Sequence, residues 1–287
     1  MRRDLILHHG LFGFDKIEIS NFRLNYWGSA PELLKKLGYN VHITKVSPVH
    51  SIEERSRSLR EFIKSRGLRD AHLICHSLGG LDARHMLDKY RHDDFNIRTL
   101  TTLGTPHKGS EFMDLLSQKL GLGYRYSLIE APKPKTMLYQ LLYYLDQPAY
   151  SCLTTEYSKE FNKTVQLNPK VDYYSIGANF KCDKSYIHDL ANTVVNEDIS
   201  RIPILKIITL KSLEDYMGLL ERIMFLLAGD NDGLVSLKSS NFGNYLATLD
   251  GSHWDLVDKS GRFGNKMLES VEEMYTTIVA NLKKYDE

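Results

Sequence analysis

Ser77 stands in the run Cys75-His76-Ser77-Leu78-Gly79-Gly80, directly after the apolar segment Ala71-His72-Leu73-Ile74-Cys75 and ahead of a stretch with helical character. A strand that turns sharply into a helix at a serine is the setting of a nucleophile elbow, which holds the hydroxyl out for attack on a carbonyl carbon. Such a turn strains the serine backbone, so the residues two before and two after it must be small where strand and helix cross. Gly79 meets that demand, while Cys75 stands where glycine is usual and is still small. Strand alternation points Cys75 away from Ser77, which predicts a packing role for its thiol. His76 adjoins the serine, and neighbouring side chains at a sharp turn diverge, so it is read as structural. The alternative makes Ser77 an ordinary turn serine that caps the next helix.

A serine hydroxyl is a weak nucleophile until a base takes its proton, and an elbow serine is followed in chain order by its acid and then its histidine. That order admits His85, His92, His107, His188 and His253. His85 falls inside the helix after the elbow and His107 directly follows Pro106, whereas His253 lies in a Gly251-Ser252-His253-Trp254 loop after the last expected strand. His253 is therefore the expected base, since imidazole can accept the serine proton and return it to a leaving alcohol near neutral pH. Asp232, in the loop Gly229-Asp230-Asn231-Asp232-Gly233, is the expected acid, with Asp230 second. Asp250 is too close to His253 along the chain to reach back to its ring. The Asp230-Asn231-Asp232-Gly233 spacing does not make a calcium-binding EF-hand, because Asn241 occupies the twelfth position where a glutamate is needed.

Acyl transfer builds negative charge on the carbonyl oxygen, which backbone N–H groups must meet. Leu78, the residue after the nucleophile, is one expected donor. Leu11 is the other, in the loop His9-Gly10-Leu11-Phe12-Gly13 after an early strand; a plain turn at Gly10 and Gly13 is the alternative.

The elements that must hold these residues alternate. Strands are predicted at Asp4 to His9, Tyr39 to Val46, Ala71 to Cys75, Ile97 to Leu103, Val171 to Gly177 and Tyr245 to Leu249, and helices at Ala30 to Leu37, Ser51 to Arg66, Gly79 to Tyr90, Ser212 to Leu227 and Asn265 to Lys284. Ser51 with Glu54 forms a capping box, and Gly67 supplies a stop. Strands separated by helices imply an α/β fold, with a mostly parallel central sheet covered by helices on both faces. Residues 1–287 are read as one domain of the α/β-hydrolase fold. It carries a cap or lid insertion at about 110–171, where Pro132, Pro134 and Pro148 interrupt Tyr139, Tyr143, Tyr144 and Tyr150, and a second irregular insertion at about 180–212.

The chain's 287 residues are 42% hydrophobic and 25% charged, ample for a packed core. With 37 basic and 36 acidic residues dispersed, net charge is +1, and no nucleic-acid partner is expected. No run approaches the roughly 20 apolar residues of a spanning helix, and the first apolar run is too short for a signal-peptide core. An intracellular place, cytoplasmic or mitochondrial, is expected, with any membrane contact peripheral. Cys75, Cys152 and Cys182 show no metal-ligand spacing and suit a reducing compartment; a Cys152 to Cys182 bridge in an exported form is the alternative. No metal and no cofactor are expected.

Taken together, the sequence resembles the bacterial lipases of Pseudomonas, Burkholderia and Proteus, and still more the fungal, mitochondrial-type triacylglycerol lipases. The resemblance rests on His9 to Asp15, Tyr26-Trp27-Gly28, Ser51 to Arg55, His76 to Asp82, Gly104 to Ser110, Leu153 to Tyr157 and Asn231 to Val235, which cover most of the chain in order. It implies Ser77, Asp232 and His253 as a catalytic triad, Leu11 and Leu78 as oxyanion donors, and a cap that opens at a lipid surface, membrane or lipid droplet. The bacterial lipases hold a calcium ion near the histidine loop, to which Asp255 corresponds, but Lys259 stands where a neutral oxygen ligand belongs, so no calcium requirement is expected. The function implied is hydrolysis of lipid carboxylic esters through an acyl-enzyme. A phospholipase or acyl-thioesterase uses the same chemistry, and a noncatalytic binding protein of the same fold is the reading from a different class. Acyl chain length, head group and oligomeric state are not legible.

Overall fold

Apolar residues at alternate positions of the first strand, Leu5 and Leu7 on one side and Ile6 on the other, require a sheet covered on both faces, and the computed structural model has that form. It describes residues 3–11, 16–19, 22–126, 146–197, 207, 210, 212–258 and 269–286. Strand β1 (Arg3–His8) leads into an antiparallel hairpin, β2 (Lys16–Ile19) and β3 (Phe22–Asn25), that the sequence pattern does not announce. Then come α1 (Ala30–Lys36), β4 (Tyr39–Ile43), α2 (Ile52–Ser65), β5 (Asp70–His76), α3 (Leu78–Lys89), β6 (Asn96–Leu103) and α4 (Glu111–Leu120). After α5 (Pro148–Ser151) and α6 (Thr155–Thr164), the sheet resumes with β7 (Asp172–Asn179). Helices α7 (Ser185–Asn196), α8 (Leu213–Ala228) and α9 (Leu237–Ser240), strand β8 (Asn244–Asp250) and helix α10 (Glu269–Leu282) complete the described elements.

The six long strands pair in the order β4-β1-β5-β6-β7-β8, every pairing parallel. The chain steps outward from β1 to β4 and then returns to β5 on the other side, so the winding reverses between β1 and β5. In open parallel sheets the crevice beyond the carboxyl ends at such a reversal is where sites form. His9, Gly10 and Leu11 follow β1 there, and Ser77 follows β5.

Leu5, Leu7, Ile74, Leu103 and Ile176 pack against α1 and α10 through Leu34, Val271, Tyr275 and Ile278. On the opposite face Ile6, Leu73, Cys75 and Leu100 meet Leu59 and Ile63 of α2 and Ala83 and Met86 of α3. Cys75 thus lies in the α2/α3 core, where burial pushes its thiol pKa well up. All three cysteines are free, so the Cys152 to Cys182 bridge does not form.

Helix α2 begins as expected. Ser51 Oγ accepts from the Glu54 N–H at 3.3 Å, and the Glu54 carboxylate accepts from the Ser51 N–H at 3.2 Å. Helix α7 occupies part of the 180–212 stretch read as irregular. Lys184 at its N-cap offers no side-chain cap, and burial of Ile187, Leu190 and Ala191 against Leu115, Leu219 and Ile223 holds the helix instead. Within 110–171, α4, α5 and α6 are described, whereas Pro132, Pro134, Tyr139, Tyr143 and Tyr144 lie outside the described residues. So do 265–268 of the expected last helix and Lys259. Among the described residues no helix is long and apolar enough to cross a membrane.

Candidate active site

The end of β5 is bonded to the neighbouring strand as far as Ser77, whose N–H donates to the Leu103 carbonyl at 2.9 Å. There the backbone turns to φ 54°, ψ −131°, and Leu78 begins α3. A side chain at positive φ is costly, and its presence between a buried strand and helix marks an imposed turn. Ser77 stands at the N-cap position of α3 but makes no side-chain cap hydrogen bond to it. The small-residue requirement has a direct cause at Gly79, where a Cβ would come within 2.8 Å of the carbonyl oxygens of both His8 and His9. Thr105, in the loop after β6, secures the turn, its Oγ1 donating to the Ser77 carbonyl at 2.8 Å.

Leu78 is the first residue of α3, where amides have no intrahelical acceptor, so its N–H is available to an external oxygen. Across the crevice, the loop after β1 presses on Ser77. A Cβ on Gly10 would lie 2.7 Å from Ser77 Cβ and 3.2 Å from its Oγ. Leu11 follows, its side chain packed on the apolar cluster of Ile52, Leu78, Leu81 and Met113.

That loop rests on buried charge. Arg55 of α2 donates through one terminal nitrogen to the His9 carbonyl at 2.6 Å, through the other to Ser47 O at 2.5 Å, and through Nε to Asp82 of α3 at 2.8 Å. The same Asp82 oxygen meets His8 Nε2 at 2.9 Å, and His8 Nδ1 meets Thr44 at 2.8 Å. Burial lowers the His8 pKa despite Asp82, and drives His9 down to about 3, with His8 and Arg55 adding to the effect. Neither Arg55 nor Asp82 stands out as a functional residue in the sequence. The available signal is a charge on an apolar stripe, since Arg55 lines up with Ile52, Leu59 and Ile63 on the buried side of α2.

The expected acid and base are brought together. His253 Nδ1 and Asp232 Oδ2 are 2.6 Å apart, both side chains almost fully buried. The other carboxylate oxygen of Asp232 accepts the N–H groups of Leu234 and Val235 at 2.9 and 2.8 Å. Its neighbour Asn231 shapes the turn, accepting from Gly233 N at 2.7 Å and donating to Glu221 O at 3.1 Å, while Phe180 N at the end of β7 anchors Asn231 O at 2.8 Å. Asp230 and Asp250 are exposed and take no part in this pair.

The other candidate histidines do not reach Asp232. His85 bonds Ser56 at 2.7 Å, His107 lies between Thr102 and Arg84 at 3.0 and 3.2 Å, His188 bonds Cys182 O at 2.8 Å, and His92 is exposed. His76 is fully buried, with Nδ1 on the Tyr26 hydroxyl at 2.6 Å and Nε2 on the His253 carbonyl at 3.0 Å.

The histidine loop is pinned beyond the pair by Asp258. This non-glycine residue sits at φ 59°, and its carboxylate accepts the N–H and hydroxyl of Ser29 at 2.9 and 2.5 Å. It thereby serves the start of α1, a link sequence reading missed because it spans 229 residues. Asp255 uses one oxygen to accept from Ser252 N and Oγ at 2.6 and 2.8 Å. Among the described residues no group of three or more histidine, cysteine or acidic side chains is placed to hold a metal ion.

A parallel sheet with its winding reversal at β1/β5, an elbow serine and an Asp232–His253 pair at the carboxyl edge define an α/β-hydrolase fold. Solved structures agree. Staphylococcus hyicus lipase superposes with a TM-score of 0.61 at 18% identity, covering 99% of this chain and 96% of that one, and a metagenomic carboxyl esterase gives 0.66 at 16%, covering 99% and 76%. In sequence the chain is similar to triacylglycerol lipases. It is 28% identical to triacylglycerol lipase 2 of Saccharomyces cerevisiae over 269 residues, 91% of this chain and 69% of that protein. A triacylglycerol lipase of Vibrio cholerae is 33% identical over 119 residues, 40% of this chain and 36% of that protein. No family model matches the chain.

Proposed function

We propose that this protein is a serine hydrolase of lipid carboxylic esters, of the triacylglycerol lipase type, with Ser77 as nucleophile, His253 as base, Asp232 as its orienting acid, and the N–H groups of Leu11 and Leu78 as oxyanion donors. The observation that carries the reading is the 2.6 Å contact of His253 Nδ1 with Asp232, together with a serine held at positive φ directly after His76, whose ring lies 4.4 Å from that of His253. The carboxylate fixes the tautomer with the proton on Nδ1, which leaves Nε2 basic.

In the acylation step Ser77 Oγ attacks the ester carbonyl carbon as His253 Nε2 takes the hydroxyl proton. Negative charge gathers on the carbonyl oxygen, facing the two amides. Collapse breaks the bond to the alcohol, which leaves with the proton from His253; water then repeats the sequence on the acyl-enzyme and frees the acid.

Residues 110–171 are read as a cap within a single domain, closing over Leu11 and Leu78. Tyr150 and Leu153 of this segment pack in the same apolar cluster as those two residues, which supports that reading. A cap of this kind suits a peripheral lipid or membrane surface, in an intracellular setting consistent with three free thiols. The test is labelling by a fluorophosphonate probe followed by turnover of triolein, phosphatidylcholine and an acyl-thioester. Labelling at Ser77 with triolein preferred is the expected result, preference for either of the others reassigns the substrate class, and absence of labelling and turnover overturns the reading.

A further inference from the structure

The nucleophile's neighbour His76 joins two parts of the site that have no covalent reason to move together. Its Nε2 lies 3.0 Å from the His253 carbonyl oxygen, which can only accept, so Nε2 carries a proton. Its Nδ1 is hydrogen-bonded to the Tyr26 hydroxyl, 2.6 Å away. The same hydroxyl oxygen accepts the N–H of Gly10 at 3.1 Å. The result is one continuous hydrogen-bonded chain from the Gly10 peptide through Tyr26 and His76 to the backbone of His253. Tyr26 is 1% exposed and His76 fully buried. Trp27 and Trp254 flank the His76 ring, with centroids 6.4 Å away in each case, and the His253 ring lies 4.4 Å from it.

We propose that Tyr26 and His76 are positioning residues that couple the oxyanion loop to the histidine loop and set their separation across Ser77; this rests on the hydrolase reading given above. Gly10 is already in contact with Ser77, so a small outward shift of its peptide displaces the following Leu11 N–H from the oxyanion. At the other end, release of the His253 carbonyl lets the imidazole drift relative to the serine. Misplacement of reacting groups by ~1 Å can cost on the order of 100-fold in rate. Tyr26 acts through the Gly10 peptide, and His76 through the His253 carbonyl and by packing on its ring, so their effect falls on the chemical step more than on substrate affinity.

The test compares Tyr26→Phe, His76→Gln, His76→Asn and the double variant Tyr26→Phe/His76→Asn with wild type, on a soluble short-chain nitrophenyl ester, with Tm measured in parallel. Tyr26→Phe is expected to lower kcat roughly 10- to 100-fold with KM within about threefold. Glutamine can still donate to the His253 carbonyl, whereas the shorter asparagine cannot reach it, so His76→Gln should retain several-fold more kcat than His76→Asn at similar Tm. The double variant should fall little further than the worse single one, because both break the same chain. Variants that lose Tm but keep kcat within about twofold, or a Gln and Asn pair with equal kcat, would overturn the coupling while wild-type activity still upheld the hydrolase reading. A wild-type protein that neither turns over esters nor labels with a fluorophosphonate would instead overturn that reading, and this inference with it.

Discussion

His253 is attached to Asp232 twice: its Nδ1 meets the Asp232 carboxylate at 2.6 Å, and its backbone N–H donates to the Asp232 carbonyl at 2.8 Å. The second bond fixes where the residue stands, and the first fixes how its ring is turned. Asp232→Asn leaves the backbone bond intact and disturbs only the ring's tautomer. Its kcat is expected to fall by about 10⁴ with KM little changed. Steady-state kinetics on a soluble ester checks this, and a loss below tenfold would remove Asp232 from the chemistry.

Ser77→Ala should abolish fluorophosphonate labelling and lower turnover by roughly 10⁴ to 10⁶, with the fold intact because alanine is smaller at the same backbone turn. Circular dichroism and labelling of the same preparation test both parts. Ester turnover at the wild-type rate would exclude Ser77 as the nucleophile.

Gly104 has φ 54° and lies beneath the pair, where a Cβ would come 2.7 Å from Leu256 Cδ1, 3.0 Å from Asp232 Oδ2 and 3.1 Å from His253 Nδ1. Gly104→Ala is therefore expected to cost about 1 to 3 kcal/mol in stability, from the backbone strain and crowding together. It should also reduce kcat by pushing the carboxylate and ring apart. Urea denaturation and kcat measured side by side would show whether either effect is missing.

Replacing Arg55 by methionine leaves the fully buried Asp82 with only His8 as a partner and releases the His9 carbonyl. Loss of one partner from a buried ion pair costs about 3 to 5 kcal/mol, so Arg55→Met should lower Tm sharply. The paired change Arg55→Met/Asp82→Leu should recover much of that stability but not the activity, because nothing then holds the His9-Gly10 peptide. Recovery of both would show that Arg55 serves only stability.

Acid should weaken the fold from just below neutral pH. His8, His9 and His107 are all depressed by burial, His9 to about 3. Each takes a proton in the unfolded chain near pH 6.5 but in the folded chain only at lower pH. Their stabilising contribution is thus complete above the unfolded pKa and is lost as pH falls toward the folded one. Each histidine in that window contributes a slope of about 1.4 kcal/mol per pH unit. Urea titrations at pH 8, 7, 6 and 5 should show a level stability above 7 and a steep fall below 6; a level curve down to 5 would contradict it.

Local features were legible from the sequence because their causes lie within a few residues. The elbow at Ser77, the capping box of Ser51 and Glu54, and the alternation that sends Cys75 to one face and Ile74 to the other depend on backbone geometry and short-range spacing. So does the alternation of strands and helices that implied a parallel sheet. Helix α7 was not legible, since its residues carry no cap and owe their helical state to partners more than a dozen residues away.

The tertiary structure decided what distance along the chain leaves open. Sequence order favoured Asp232 over Asp230 and Asp250, but the fold shows its burial against His253, beside an Asn231 anchored at the end of β7, while the other two meet solvent. The same holds for Tyr26, His76 and Asp258, whose partners lie 16 to 229 residues away. A hydrogen bond is specified by ångströms and angles, and those are set by the packed sheet and helices, so residue type and spacing could name the chemistry without naming the contacts that hold it in place.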